Sequence, residues 1–372
     1  MTWTSRRRLL TALDRGIPDR LPVTTHHLMP SFLRQAGFAN ELGFFDRYGL
    51  DAIRWTTPLL RPLEKGGRGW RLEQEAVPDP NYRTTRYRFV TPHGTLTMLL
   101  QDDGRTAWVR ERLLKEKRDV DILSAIALEP ACDIRAVASA ASALGERGIV
   151  RGAVPGFPVY GQPGCWQDAA VLFGIEPLIL ATFDDPQWVS ALLACLQAPK
   201  LAFLRSAAGA PFDLVELGGG DASSTVISPA IFDRFVAPFD APLVEAAHAS
   251  GLRVVYHTCG GMMPLLERIA DMGPDAMETF TPPSMGGDAR MAEAKRRIGP
   301  RVSMIGGFDQ VNDVVRCQPS QTRQAVRRLF AEAGGDGGYI LAPSDHFFEA
   351  DGALLAAFAD EARSCVYPPK TI

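Results

Sequence analysis

The chain has 372 residues, 46% of them hydrophobic and 22% charged, with a formal net charge of −3. That composition makes a globular protein with ample material for a large core. It speaks against a nucleic-acid surface, because Lys and Arg are dispersed apart from Arg6-Arg7-Arg8, and against a membrane span, because no apolar run approaches the roughly 18 residues one needs.

Residues 1–19 read as a covering helix with Arg6-Arg7-Arg8 on its polar face. The apolar stretch 9–13 is too short, and too soon broken by Asp14 and Arg15, to be the core of a secretion signal. Six cysteines (132, 165, 195, 259, 317 and 365) are scattered without a CxxC pair. A cytoplasmic protein with reduced thiols is therefore expected. Residues 21–25 and 52–56 have the pattern of short strands. Between 66 and 100 the pattern changes. Residues 87–100 read as a β-hairpin turning near Pro92-His93-Gly94, an inserted antiparallel flap close to the mouth of the main fold.

From about Ala136 the chain alternates strand and helix. Apolar runs at 149–155, 214–217, 253–256, 276–280, 302–305 and 339–342 are separated by helical patterns, among them 230–250, 263–272, 289–298 and 321–333. The tail 367–372 is expected to fray. With the two earlier runs the strands number eight, which predicts a single (β/α)₈ barrel domain over residues 1–372. An open doubly wound sheet would use the same alternation, but no GxGxxG turn follows the first strand.

In a barrel, reactive groups sit at the carboxyl ends of the strands. Those ends carry Thr24-Thr25-His26-His27, Gly218-Gly219-Gly220-Asp221, His257-Thr258-Cys259, Glu278, Gly306-Gly307-Phe308-Asp309 and Ser344-Asp345-His346. His257 and Cys259, two apart, could face the same side and offer zinc an imidazole and a thiolate. Glu278 could add a third donor and Asp345 or His346 a fourth. Cys259 could equally be a small buried residue before a Gly-Gly turn. Asp221 could be a helix cap and Asp309 a turn residue. His26 and His27 are adjacent, so at most one faces the barrel axis. Tyr160 and Trp166 are candidate pocket walls or ordinary packing. His248 on a helix and His93 in a hairpin turn read as structural and solvated.

Several stretches together resemble a known family. GLRVVYHTCGGMMPLL at 251–266 is similar to the HxCG signature of the uroporphyrinogen decarboxylase-like superfamily. RLLTALDRGIPDRLPV at 8–23, FGIEP at 173–177 with DDPQ at 184–187, SPAIFD at 228–233 with Pro238, and IGGFD at 305–309 follow in the family's order. The resemblance spans essentially the whole chain and implies the barrel fold. One branch of the superfamily decarboxylates porphyrinogens without a cofactor, holding acidic side chains with arginines. Here LRQAGF at 33–38 keeps an echo of that motif, with Phe38 where a second arginine is expected.

The other branch holds zinc-dependent methyltransferases that work with corrinoid proteins. The resemblance to it implies His257, Cys259 and Glu278 as ligands of one Zn²⁺. The family's distant Cys is replaced by Asp345, with His346 beside it. The function implied is methyl transfer between a small methylated substrate and a corrinoid or folate carrier. In that function Asp221, Asp309 and His26 orient ligands or handle a proton, and His27, Tyr160 and Trp166 line the substrate pocket. No Asp-x-His-x-x-Gly segment is present, so a corrinoid would ride on a separate protein; a homodimer is the expected assembly. A cofactor-independent decarboxylase is the alternative enzyme, and a barrel that only binds a small molecule or a corrinoid protein is the non-catalytic one.

Overall fold

Alternating apolar residues put one face of a strand inward and leave the other for a second layer. The computed structural model follows that rule over the residues it describes: 2–315, 317–347 and 349–367, the side chain of Glu64 excepted. Residues 368–372, most of the tail expected to fray, lie outside them. The strands in chain order are β1 (Ala52–Trp55), β2 (Arg71–Val77), β3 (Arg83–Thr91), β4 (Gly94–Asp102), β5 (Ala107–Glu111), β6 (Gly148–Ala153), β7 (Leu214–Gly218), β8 (Val254–His257), β9 (Ala276–Thr279), β10 (Ser303–Phe308) and β11 (Tyr339–Pro343).

β1 and β6 to β11 form one seven-stranded parallel sheet in chain order, with helices in the connections. The fold is therefore α/β. The run at 21–25 is not a regular strand. It makes one parallel bridge, Val23 to Leu341, and Pro22 has no N–H for a longer ladder. Its backbone nonetheless meets both ends of the sheet. Thr24 N donates to Leu341 O (2.9 Å), Leu341 N to Pro22 O (2.9 Å), and Asp51 N, just before β1, to Val23 O (2.8 Å).

One inward layer is apolar: Ile53, Ile149, Leu214, Val255, Ala276, Ile305 and Ile340 pack on Leu9, Ala12 and Leu13 of the first helix, Ser5–Leu13. That helix covers the amino-terminal side of the sheet, as expected. Its arginines are not merely solvated, however. Arg6 pairs with Asp213 at 2.5 Å, and the buried Arg8 with Asp51 at 2.6 Å and Asp19 at 2.7 Å. The opposite strand faces, including Val150, Val215, Val254, Tyr256, Met304 and Leu341, bury against the surrounding helices. Among the described residues no helix is long and apolar enough to cross a membrane.

The insertion is larger than the hairpin expected between 66 and 100. β3 and β4 form that hairpin, with Thr91 paired to Gly94 across the turn. It belongs to a four-stranded antiparallel sheet, β2-β3-β4-β5, that runs on to Glu111. Of the two added strands, β5 follows a turn at 102–106, where the Asp102 carboxylate accepts from Gly104 N and that of Asp103 from Arg105 and Thr106 N. This side-chain-to-backbone turn chemistry is what the hydropathy pattern did not reveal.

Candidate metal and catalytic site

Two residues beyond each inward apolar position lies the next inward position, and here the chemistry changes. Ile53 leads to Trp55, Ile149 to Arg151, Leu214 to Glu216, Val255 to His257 and Ala276 to Glu278. Arg151, 1% exposed, holds both oxygens of Glu278, donating to Oε2 at 2.7 Å, and reaches Glu216 Oε2 at 2.5 Å. Its guanidinium also lies 4.1 Å from the centre of the Trp55 ring. Burial works against the charge on Arg151, but Glu278 and Glu216 more than offset it. Burial would likewise raise the Glu278 carboxyl; the Arg151 charge and the hydrogen bond from His257 hold it well below the usual carboxylate range. Arg151 and Glu216 were not among the sequence candidates. A charged residue at an inward position of an apolar strand was the signal for both.

His257 is in register with Glu278 and donates from Nδ1 to Glu278 Oε1 at 2.8 Å. Burial opposes protonation of this imidazole, but hydrogen bonds to Cys259 and Glu278 hold its pKa well above the ordinary histidine value. The His26 ring stacks on His257 (centroids 5.3 Å apart) and lies 4.8 Å from His346. His346 donates from Nδ1 to the His27 carbonyl at 2.9 Å, which directs Nε2 away from that bond. Burial pushes the His26 pKa well down, and burial with the charges of His346 and Arg151 brings His27 to about 4, so both are neutral near pH 7. Ligand atoms of His26, His257 and Glu278 lie within 4.8 Å of one another. Imidazole nitrogens and carboxylate oxygens are donors that suit zinc. Cys259, expected as a ligand, is not in that group but hydrogen-bonds His257 beside it. Beyond Glu278 the chain turns through left-handed conformations at the buried Thr279 (φ 82°) and Phe280 (φ 47°), the kind of local strain found at functional sites.

The Gly218-Gly219-Gly220 run earns its composition by close approach. A Cβ on Gly218 would meet His257 O at 2.4 Å, one on Gly219 would meet the Gln167 side chain at 2.5 Å, and one on Gly220 would meet Cys259 Sγ at 2.4 Å. Gly220→Ala is therefore expected to displace the Cys259 thiol with secondary structure intact, and to weaken by about 10- to 100-fold the binding of any metal that Cys259 helps to hold, as for loss of a supporting contact around a metal. Chelator competition and circular dichroism check this together.

These groups open onto a cavity of about 640 Å³. Its wall includes His26, His27, Trp55, Tyr160, Glu216, Asp221, His257, Cys259, Asp345 and His346, and no lysine or arginine among the described residues. The sequence candidates divide accordingly. His26, His27, Tyr160, Asp221, His257, Cys259, Asp345 and His346 converge on the cavity, and Glu278 lies beneath it in a small void shared with Thr25, His26 and Arg151. Trp166 does not line the cavity. It is fully buried, and its Nε1 donates to Asp221 O at 3.0 Å. Asp309 is also off the cavity wall. Its carboxylate accepts from Ser284 Oγ (2.5 Å), Asn312 Nδ2 (2.7 Å), and the backbone of Val311 and Asn312, the turn role that was its alternative. His248 pairs with Asp275 on the surface. Tyr160 tethers the insertion to the cavity, donating from its hydroxyl to Ala107 O at 2.7 Å.

A parallel α/β sheet with a polar centre at the carboxyl ends of its strands is the architecture of many enzymes. A family model described as uroporphyrinogen decarboxylase (URO-D) matches residues 102–361. The chain belongs to that family, which is a family of enzymes. A search of curated proteins returned no match. Among solved structures, the fold is similar to a methyltransferase from Methanosarcina mazei, with a TM-score of 0.68 at 15% identity over 98% of this chain and 99% of that one. A B12-independent methionine synthase from Shewanella sp., solved with selenomethionine, aligns with a TM-score of 0.48 at 10% identity over 93% of this chain and 96% of that one.

Proposed function

We propose that the protein is a zinc-dependent methyltransferase of the demethylase type, built on one closed (β/α)₈ barrel in which the segment 21–25 serves as the eighth strand. It moves a methyl group between a small methylated substrate and a corrinoid or folate carrier, a corrinoid arriving on a separate protein. The observation that carries this reading is the donor cluster of His26, His257 and Glu278, with Cys259 hydrogen-bonded to His257 beside it. The likeness in fold to a methyltransferase agrees with it.

Zinc would be held by His257 and Cys259, with His26 or His346 completing the set and Asp345 at the rim. Glu278 already accepts from both Arg151 and His257, so it acts as the carboxylate partner that orients a ligating imidazole. When bound, zinc supplies Lewis acidity to the heteroatom that gains or loses the methyl group. His27, Trp55 and Tyr160 wall the substrate in and exclude water. Porphyrinogen decarboxylation fits poorly, since a polycarboxylate would meet a wall without lysine or arginine among its described residues.

The test is metal analysis of the purified protein together with methyl transfer to a free reduced corrinoid followed by its absorbance. About one zinc per chain and zinc-dependent transfer are expected. Cofactor-free decarboxylation by metal-free protein would overturn the reading.

A further inference from the structure

We infer that Asp221 is the catalytic residue that exchanges a proton with the heteroatom gaining or losing the methyl group, and that Gln167 is the positioning residue that aims it. This rests on the methyl-transfer reading and deepens it. Asp221 follows β7 in the turn Gly220–Ala222, and Gln167 lies on the helix Cys165–Phe173. The two clamp each other: Gln167 Nε2 donates to Asp221 Oδ2 at 2.8 Å, and Asp221 N donates to Gln167 Oε1 at 2.6 Å. Trp166, the preceding residue of the same helix, donates to the Asp221 carbonyl at 3.0 Å. One rigid helix thus fixes both the backbone and the carboxylate of Asp221. The fit is close enough that a Cβ on Gly219 would overlap Gln167.

A capping role would have the Asp221 carboxylate accept from backbone N–H groups of the following turn. Its hydrogen bond among the described residues is instead from Gln167, and Oδ1 takes none from them while the residue faces the cavity. Gly220, against which Cys259 Sγ packs, immediately precedes Asp221, and Asp221, His257 and Cys259 line the same cavity. Burial raises its pKa, opposed by Gln167 and by the charge of Arg112 just past β5. His26, His27, Tyr160, Glu216, His257, Cys259, Asp345 and His346 are the other charged or titratable groups on the surrounding cavity wall. A carboxyl lifted toward neutrality suits proton exchange.

The step balances as follows. The C–X bond of a methylated donor breaks with its electron pair on X. The methyl carbon bonds to the nucleophilic centre of a reduced corrinoid, which supplies the new pair. X then takes the proton from the Asp221 carboxyl. In the reverse sense Asp221 takes the proton from an acceptor X–H as X attacks the methyl group.

Two measurements test this on the intact protein. With reduced corrinoid as carrier and aryl methyl ethers as donors, Asp221→Asn should lower kcat for anisole by about 100-fold or more, the usual worth of a positioned general acid. The loss for 4-nitroanisole, whose phenolate leaves without help, should be much smaller, and Gln167→Met should show the same pattern more weakly. Zinc content should not change in either variant. An equal loss across both donors would overturn the role of Asp221. Wild type that transfers no methyl group would remove the methyl-transfer reading and that role with it. Independently of turnover, the carbon-13 carboxyl signal that disappears in Asp221→Asn should titrate at higher pH in Gln167→Met. An unchanged midpoint would overturn the positioning role alone.

Discussion

Arg151→Met is expected to destabilise the protein by about 3–5 kcal/mol, the usual result of removing one partner from a buried ion pair. Methionine fills similar space, so packing is not the main loss. What remains is Glu278, 2% exposed, and Glu216 beside it, both stripped of the guanidinium that satisfies them. Trp55 loses its cation as well. The sign with pH follows from the same pairing. Glu278 is held below its ordinary value, so its contribution is fully present above the unfolded pKa of about 4.3 and is lost as pH falls through the depressed one. In Arg151→Met that acid loss should begin at higher pH. The double variant Arg151→Met, Glu278→Gln should recover part of the stability, because the two sites are in contact and their effects do not add. Urea unfolding followed by tryptophan fluorescence reads all three. A loss below about 1 kcal/mol in Arg151→Met would show that water, not Arg151, satisfies the carboxylates.

The second large effect falls on the metal. On the proposed zinc reading, His257→Ala and Cys259→Ala are each expected to take zinc from about one per chain to near none after brief chelation, since each would remove a direct donor. In the same reading Glu278→Gln should weaken binding by a smaller factor, about 10- to 100-fold, because Glu278 would act through the His257 it hydrogen-bonds. Asp309→Asn should leave zinc untouched: its carboxylate closes a turn away from the cavity. Elemental analysis and competition with a chromophoric chelator measure the series. Full zinc retained in both His257→Ala and Cys259→Ala would place the metal elsewhere.

The difference between these variants was only partly legible in the sequence. His257 and Cys259 stood out because they follow an apolar run with chemically distinct side chains, and Glu278 because it fitted as a third donor to them. Arg151 and Glu216 carry the same signal two residues past Ile149 and Leu214, but inside runs that read as plain core. Trp166 and Asp309 were singled out as pocket wall and acid or base. Short-range patterning could not tell a side chain that faces the cavity from one that braces it. Trp166 points back to hold Asp221 O, and Asp309 folds onto its own loop.

The parallel sheet was written in the order of apolar runs, since burying both faces of successive strands demands near-continuous hydrophobicity between helices. The family was written in the short motifs from 8 to 309. The sequence alone also put histidines, a cysteine and carboxylates at the strand ends, because that is a matter of counting along each strand. Only the tertiary structure decided which of them meet. The rings of His26, His257 and His346 come from the segment after residue 25, the end of β8 and the loop after β11, and their closeness depends on how the sheet curls to bring its first and last strands to the same N-terminal segment. It also decided that Glu278 is shared between His257 and a buried arginine 127 residues away in sequence, a contact no local pattern encodes.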